Sequence, residues 1–131
     1  MTFYSPSVFE SGFRLRDGGV ANQAEGNPQV TTEDGIVATG TTVADARPLR
    51  ATVNSIATVA AGTGVLLPRA DPGLVVYVFN RGVSALLVYG RGTDTLDAGV
   101  ASVTLTAAAR CAYFCVTPGQ WLSSLLGATS A

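Results

Sequence analysis

Hydrophobic and polar residues alternate in strand-length runs from Val53 to Trp121, and no comparable pattern precedes them. SIATVA, the turn AGTG and VLLP, closed by the breaker RADPG, predict two short strands. LVVYVFN and SALLVYG are strand-length runs joined across NRGV, a Gly-containing connection that predicts a hairpin. In the first of these runs Val76, Val78 and Asn80 share one face, and Val75, Tyr77 and Phe79 the other. Both faces are apolar, as in a sandwich or barrel core strand or in a strand covered by a partner subunit. RGTDTLDAGV predicts a turn with a short strand around Leu96. VASVTLTA alternates as a half-buried strand, and CAYFCV and WLSSLL follow on either side of TPGQ. Such a run of short strands, with turns every eight to twelve residues or so, predicts an all-β domain over residues 55–126, an antiparallel β-sandwich or jelly-roll-like unit with very little helix. Its expected core is Val65, Leu67, Val76, Val78, Leu87, Val103, Leu105, Phe114 and Trp121, and GATSA at 127–131 reads as a polar tail.

Residues 1–54 read differently. SPS, SG, DGG, EGNP, EDG and TG interrupt every run before it reaches element length. Apolar residues occur as single anchors, yet FYSPSVFESGF carries Phe3, Tyr4, Phe9 and Phe13, more aromatic content than disordered tails usually hold. Ordering fifty residues costs about 75 kcal/mol at ~1.5 kcal/mol each. A few anchors folded back on one small domain do not offset that, so the segment is expected to be an extended N-terminal arm that docks on other subunits. Fully extended it reaches on the order of 150 Å. The expected anchors are Phe3, Tyr4, Phe9, Phe13, Arg14 and Arg16.

Composition narrows the chemistry. The chain has 131 residues, 13% of them charged, and a net charge of -1, which gives no electrostatic case for nucleic acid or an anionic membrane. All eight basic residues are Arg. Without His there is no usual general base, no imidazole metal ligand and no Ser/His/Asp or Cys/His arrangement; without Lys there is no Schiff base. No apolar stretch reaches the ~18 residues that cross a bilayer as a helix, and MTFYSPSVFESG has no signal-peptide pattern, so synthesis in the cytoplasm of whatever cell expresses it is expected. No catalytic residue, cofactor or metal site is expected. Asp94 and Asp97, close together in one turn, read as turn caps, with a cation site or a carboxylate-dependent hydrolase as alternatives. Trp121 with Tyr77 and Tyr89 reads as core or as a sugar-binding platform. GTG at 62–64 and GRG at 90–92 open no helix and so lack the anion-binding logic of a phosphate loop.

Cys111 and Cys115 lie four residues apart in a predicted strand, about 13 Å between Cα atoms. A disulfide needs less than ~7 Å, so they do not bridge each other within one straight strand. Period two places both on one face with Tyr113. The cysteines read as buried or interface thiols acting as small hydrophobes, with an intersubunit disulfide as the alternative, and the three residues together are a candidate oligomer interface.

The order TTVADARPLRATVNSIATVAAGTGVLLP, PGLVVYVFNRGVSALLVYG, DAGV and VTLTAAARCAYFCVTPGQW, from Gly40 to Trp121, resembles a β module of tailed-bacteriophage virion proteins. That module sets an AAGTGV turn before an NRG hairpin and closes on an aromatic strand ending in GQW. Here Gly90 follows Tyr89 where the module has Pro, and the arm has no counterpart in it. The resemblance implies a capsid cement or decoration protein on the outer capsid surface of the virion. It further implies that the major capsid protein is the partner and that the protein is a homo-oligomer, expected to be a trimer; charge and hydropathy, as above, leave out nucleic acid and membrane as partners. The alternative it leaves open is a tail or fibre component with a receptor- or glycan-binding module.

Overall fold

The computed structural model describes residues 30–127, and over them the chain is all-β with no helix. Ten strands occur: β1 (Thr32–Val37), β2 (Arg47–Pro48), β3 (Val53–Thr58), β4 (Gly64–Leu66), β5 (Val75–Asn80), β6 (Leu86–Tyr89), β7 (Thr95–Leu96), β8 (Ser102–Leu105), β9 (Arg110–Thr117) and β10 (Gln120–Leu125). They form a six-stranded sheet in the order β1-β3-β5-β9-β10-β7 and a four-stranded sheet in the order β2-β4-β6-β8. With no helix among these residues, none is long and apolar enough to cross a membrane.

Successive strands alternate between the sheets. β1, β3 and β5 stack in parallel in the larger one, with Val53 beside Thr32 and Tyr77 beside Val53. β2, β4 and β6 stack in parallel in the smaller one, with Val65 between Arg47 and Val88. The pairs β1–β2, β3–β4 and β5–β6 are thus three rungs of a β-solenoid-like stack. The later strands close it, β9 running antiparallel to both β5 and β10, and β8 antiparallel to β6.

This arrangement corrects three expectations. The run LVVYVFN–NRGV–SALLVYG is a corner between the sheets, because β5 and β6 pair with other strands and not with each other. The pairing is mixed, with five parallel strand pairs, where an antiparallel unit was expected. The border of arm and domain moves as well: β1 and β2 lie within the supposed arm of residues 1–54, and Ile36 is 1% exposed in the core. Gly35, with φ +69°, breaks the alternation inside β1, and the register shifts between Glu33 and Ile36. A bulge of this kind hides a strand from a period-two reading.

The core lies between the sheets. Ile56, Val65, Leu67, Val78, Leu86, Val88, Leu96 and Trp121 are fully buried, and fully burying an aliphatic side chain of this size contributes about 1.5–3 kcal/mol. Six of the nine expected core residues, Val65, Leu67, Val76, Val78, Leu105 and Trp121, are buried in it, and Val103 packs partly against it. Leu87 and Phe114 do not belong there. Leu87 is half-buried because Leu86 and Val88 take the inner positions of β6, and Phe114 points to the outer side of β9.

Corners are fixed by polar side chains and by glycine. Asn80, 1% exposed, donates from Nδ2 to the carbonyls of Ser84 and Leu105 at 3.0 Å and of Thr106 at 3.1 Å, while its Oδ1 accepts from the Gly82 N–H at 2.9 Å. A Cβ on Gly82 would lie 2.8 Å from the Cβ of Val59, so only glycine lets the third rung's corner sit this close to the second's. Between β1 and β2, Asp45 Oδ1 accepts from the N–H groups of Thr41 and Thr42 and from the Thr42 hydroxyl. That hydroxyl above all holds the Asp45 carboxyl below the usual aspartate range.

Candidate interaction surface

The two faces of the larger sheet differ in what covers them. The inner face carries Ile36, Ile56, Val76, Val78, Cys111, Tyr113, Cys115 and Trp121, all buried against the smaller sheet. The outer face of β5, β9 and β10 is laid out by strand register in rows. Val75, Phe114 and Leu122 form the first, Tyr77, Ala112 and Ser124 the second, and Phe79 with Arg110 the third. Val53 of β3 extends the second row. Phe114 is 38%, Leu122 42% and Val116 68% exposed, while Val75, Tyr77 and Phe79 are half-buried. Exposed apolar side chains scattered singly need no explanation, but a contiguous aromatic and aliphatic patch on a sheet face marks a contact surface.

Charge is sparse on these rows. Arg110 is their one ionic group, and its guanidinium donates to the Gly127 carbonyl at 2.7 Å. Arg81, just past the end of β5, lies 3.7 Å from Asp34 and donates to the Ser55 hydroxyl. The Gly35 N–H, more than Arg81, lowers the Asp34 carboxyl from its ordinary value. Phe79, Asn80, Arg81, Ala108 and Arg110 line an open groove of about 310 Å³ beside the third row.

Cys111, Tyr113 and Cys115 are not at a subunit surface, which corrects the expected oligomer interface. They are 2%, 1% and 3% exposed, on the face of β9 that meets the smaller sheet, and both thiols are free. Burial pushes both thiols up from their ordinary values, and it pushes the Tyr113 phenol up further, beside Cys111 and Asp97. Period two was right in grouping the three residues; the other set on this strand, Phe114 and Val116, faces outward.

Asp94 and Asp97 act as staples. Asp94 Oδ2 accepts from the Ala70 N–H at 2.8 Å, and the Asp97 carboxylate accepts from Ser123, by the N–H at 2.8 Å and the hydroxyl at 2.6 Å. They tie the β6–β7 region to two different segments and do not converge on a shared point. Among the described residues, no group of three or more Cys, Asp or Glu is gathered to hold a metal ion. Trp121 is core, 0% exposed, with its Nε1 unpartnered, whereas Tyr77 lies on the outer face of the larger sheet and the Tyr89 hydroxyl donates to the Thr41 carbonyl. The three aromatics therefore do not assemble into a sugar platform. Phe3, Tyr4, Phe9, Phe13, Arg14 and Arg16 lie outside the described residues.

Compared with protein families, with curated proteins and with solved structures, the chain has no match.

Proposed function

We propose that this chain is a structural virion protein of the capsid-decoration type, seated as a homo-oligomer on the outer surface of a bacteriophage capsid. There it stabilises contacts between capsomers. The observation that carries this reading is the apolar outer face of β5, β9 and β10. The core between the sheets is already filled, so this second apolar surface serves contact beyond the fold. The resemblance of Gly40 to Trp121 to a phage virion module supplies the setting. In this reading the β domain makes the oligomer, and the residues before β1, with Phe3, Tyr4, Phe9, Phe13, Arg14 and Arg16, make the attachment to the major capsid protein. It works by burying surface, without catalysis, cofactor, nucleic acid or membrane.

Co-sedimentation with purified capsids tests the proposal. The full-length chain is expected to pellet with particles, and a Phe3→Ser/Phe9→Ser/Phe13→Ser variant with an unchanged circular-dichroism spectrum is expected to stay in the supernatant. Recovery of the wild-type chain with tails and not with capsids would favour the fibre reading and refute this one.

A further inference from the structure

We infer that the outer face of β5, β9 and β10 is the subunit interface of the homo-oligomer, and that its occupant is a second copy of this chain. The inference rests on the oligomeric reading above and assigns it a surface, after the three residues of the inner face, Cys111, Tyr113 and Cys115, proved to belong to the core.

Size is the first argument. With strands ~4.8 Å apart and a rise of ~3.3 Å per residue, the face from β3 to β10, side-chain margins included, covers on the order of 600 Å² in projection. Val75, Tyr77 and Phe79 are half-buried and Ala112 is 1% exposed, so the area this face offers lies below the roughly 800 Å² per partner of a standard interface and in the range of smaller, reversible ones. A flexible peptide would leave much of such a face uncovered.

Composition is the second argument. Homo-oligomer interfaces are more apolar than the rest of a surface, with Tyr and Phe enriched and charge depleted at the centre. Val75, Tyr77, Phe79, Phe114 and Leu122 meet that description, and the one charge on the rows, Arg110, is engaged by a carbonyl of its own chain. A surface with so little charge has no means of selecting an oppositely charged partner. A copy of itself brings the same apolar rows.

The test is sedimentation velocity on the full-length protein over a concentration series. Leu122→Glu puts a charge at the β10 end of the first row, and Phe114→Ser removes the largest side chain from its centre without adding charge. Val83→Glu, at a position 93% exposed in the β5–β6 connection, is the control. The wild type and Val83→Glu are expected to be oligomers. Leu122→Glu and Phe114→Ser are expected to self-associate at least about tenfold more weakly, with thermal unfolding still cooperative. A wild type that is monomeric throughout, or an oligomer indifferent to both face variants, would overturn the inference. So would an equal response in Val83→Glu. Capsid co-sedimentation reads the functional proposal separately: a monomer that still pellets with capsids keeps that proposal and removes this one.

Discussion

Asn80 donates to the carbonyl of Leu105 at 3.0 Å, which ties the end of β5 in the larger sheet to the end of β8 in the smaller one. The same amide also serves Ser84, Thr106 and Gly82, so one buried side chain closes a corner that has no strand ladder of its own. Asn80→Ala leaves buried acceptors and one buried donor unpaired, at about 1–3 kcal/mol for each unsatisfied group. The expected loss is about 3 kcal/mol, measured as a lower urea midpoint with an unchanged slope. Asn80→Asp retains only the acceptor toward Gly82 and is expected to be no better.

Gly64 and Tyr89 make a second close approach between rungs. A Cβ on Gly64 would lie 2.7 Å from Tyr89 Cε2 and 2.8 Å from the Leu87 carbonyl oxygen. The ring can turn away, whereas the carbonyl belongs to the β4–β6 ladder. Gly64→Ala is therefore expected to destabilise by about 1–3 kcal/mol, and Tyr89→Ala in the same chain to restore only part of that, as a double-mutant cycle would show.

The strands from Val53 onward were legible because β3 to β10 all fall on runs marked by the apolar pattern or, for the short β4 and the two-residue β7, by the turns that bound them. What the pattern did not show is which strand pairs with which. NRGV has a hairpin's length and its Asn and Gly, but those residues equally suit a corner, where Asn80 turns its amide inward and Gly82 stacks on Val59. Local sequence encodes the turn, and long-range register decides whether the chain doubles back or crosses to the other sheet. β1 was hidden by the bulge at Gly35, and β2 is a two-residue strand, too short for any period. On β9 the period was legible and its direction was not, since Cys111, Tyr113 and Cys115 are no more apolar than Ala112, Phe114 and Val116. The candidate surface was visible in outline, as a β5 with two apolar faces, and needed the rows across β9 and β10 to become a patch.

Burial of Cys111 and Cys115 sets their reactivity. Each is no more than 3% exposed and each thiol is pushed above its ordinary value, so the thiolate fraction at neutral pH falls and access is blocked. A chromogenic disulfide reagent at pH 8 is expected to titrate neither thiol in the folded protein, and both after denaturation. Fast labelling of the folded chain would mean that β9 is not packed against the smaller sheet.

Asp45 gives the corner between β1 and β2 a defined acid response. Its carboxylate is held below the usual 3.8 by the Thr42 hydroxyl first and then by backbone N–H groups. A carboxylate with a lowered folded-state value adds stability that is present above the unfolded value, and that stability disappears as pH falls through the folded one. Wild type should thus exceed Asp45→Asn in thermal stability at neutral pH, and the difference should close as pH drops below 3.8. A gap that persists at lower pH would show that the charge of Asp45 is not what orders the corner.

As proposed, this chain holds capsomers together as an oligomer joined through the outer face of β5, β9 and β10. A cryo-EM map of particles carrying the protein addresses both halves at once. The expected map shows β domains on the outer shell at junctions between capsomers, with Tyr77, Phe114 and Leu122 of one copy against a neighbouring copy. A map with the domain in the tail would overturn the capsid seat, and one with that sheet face open to solvent between separate copies would overturn the subunit interface.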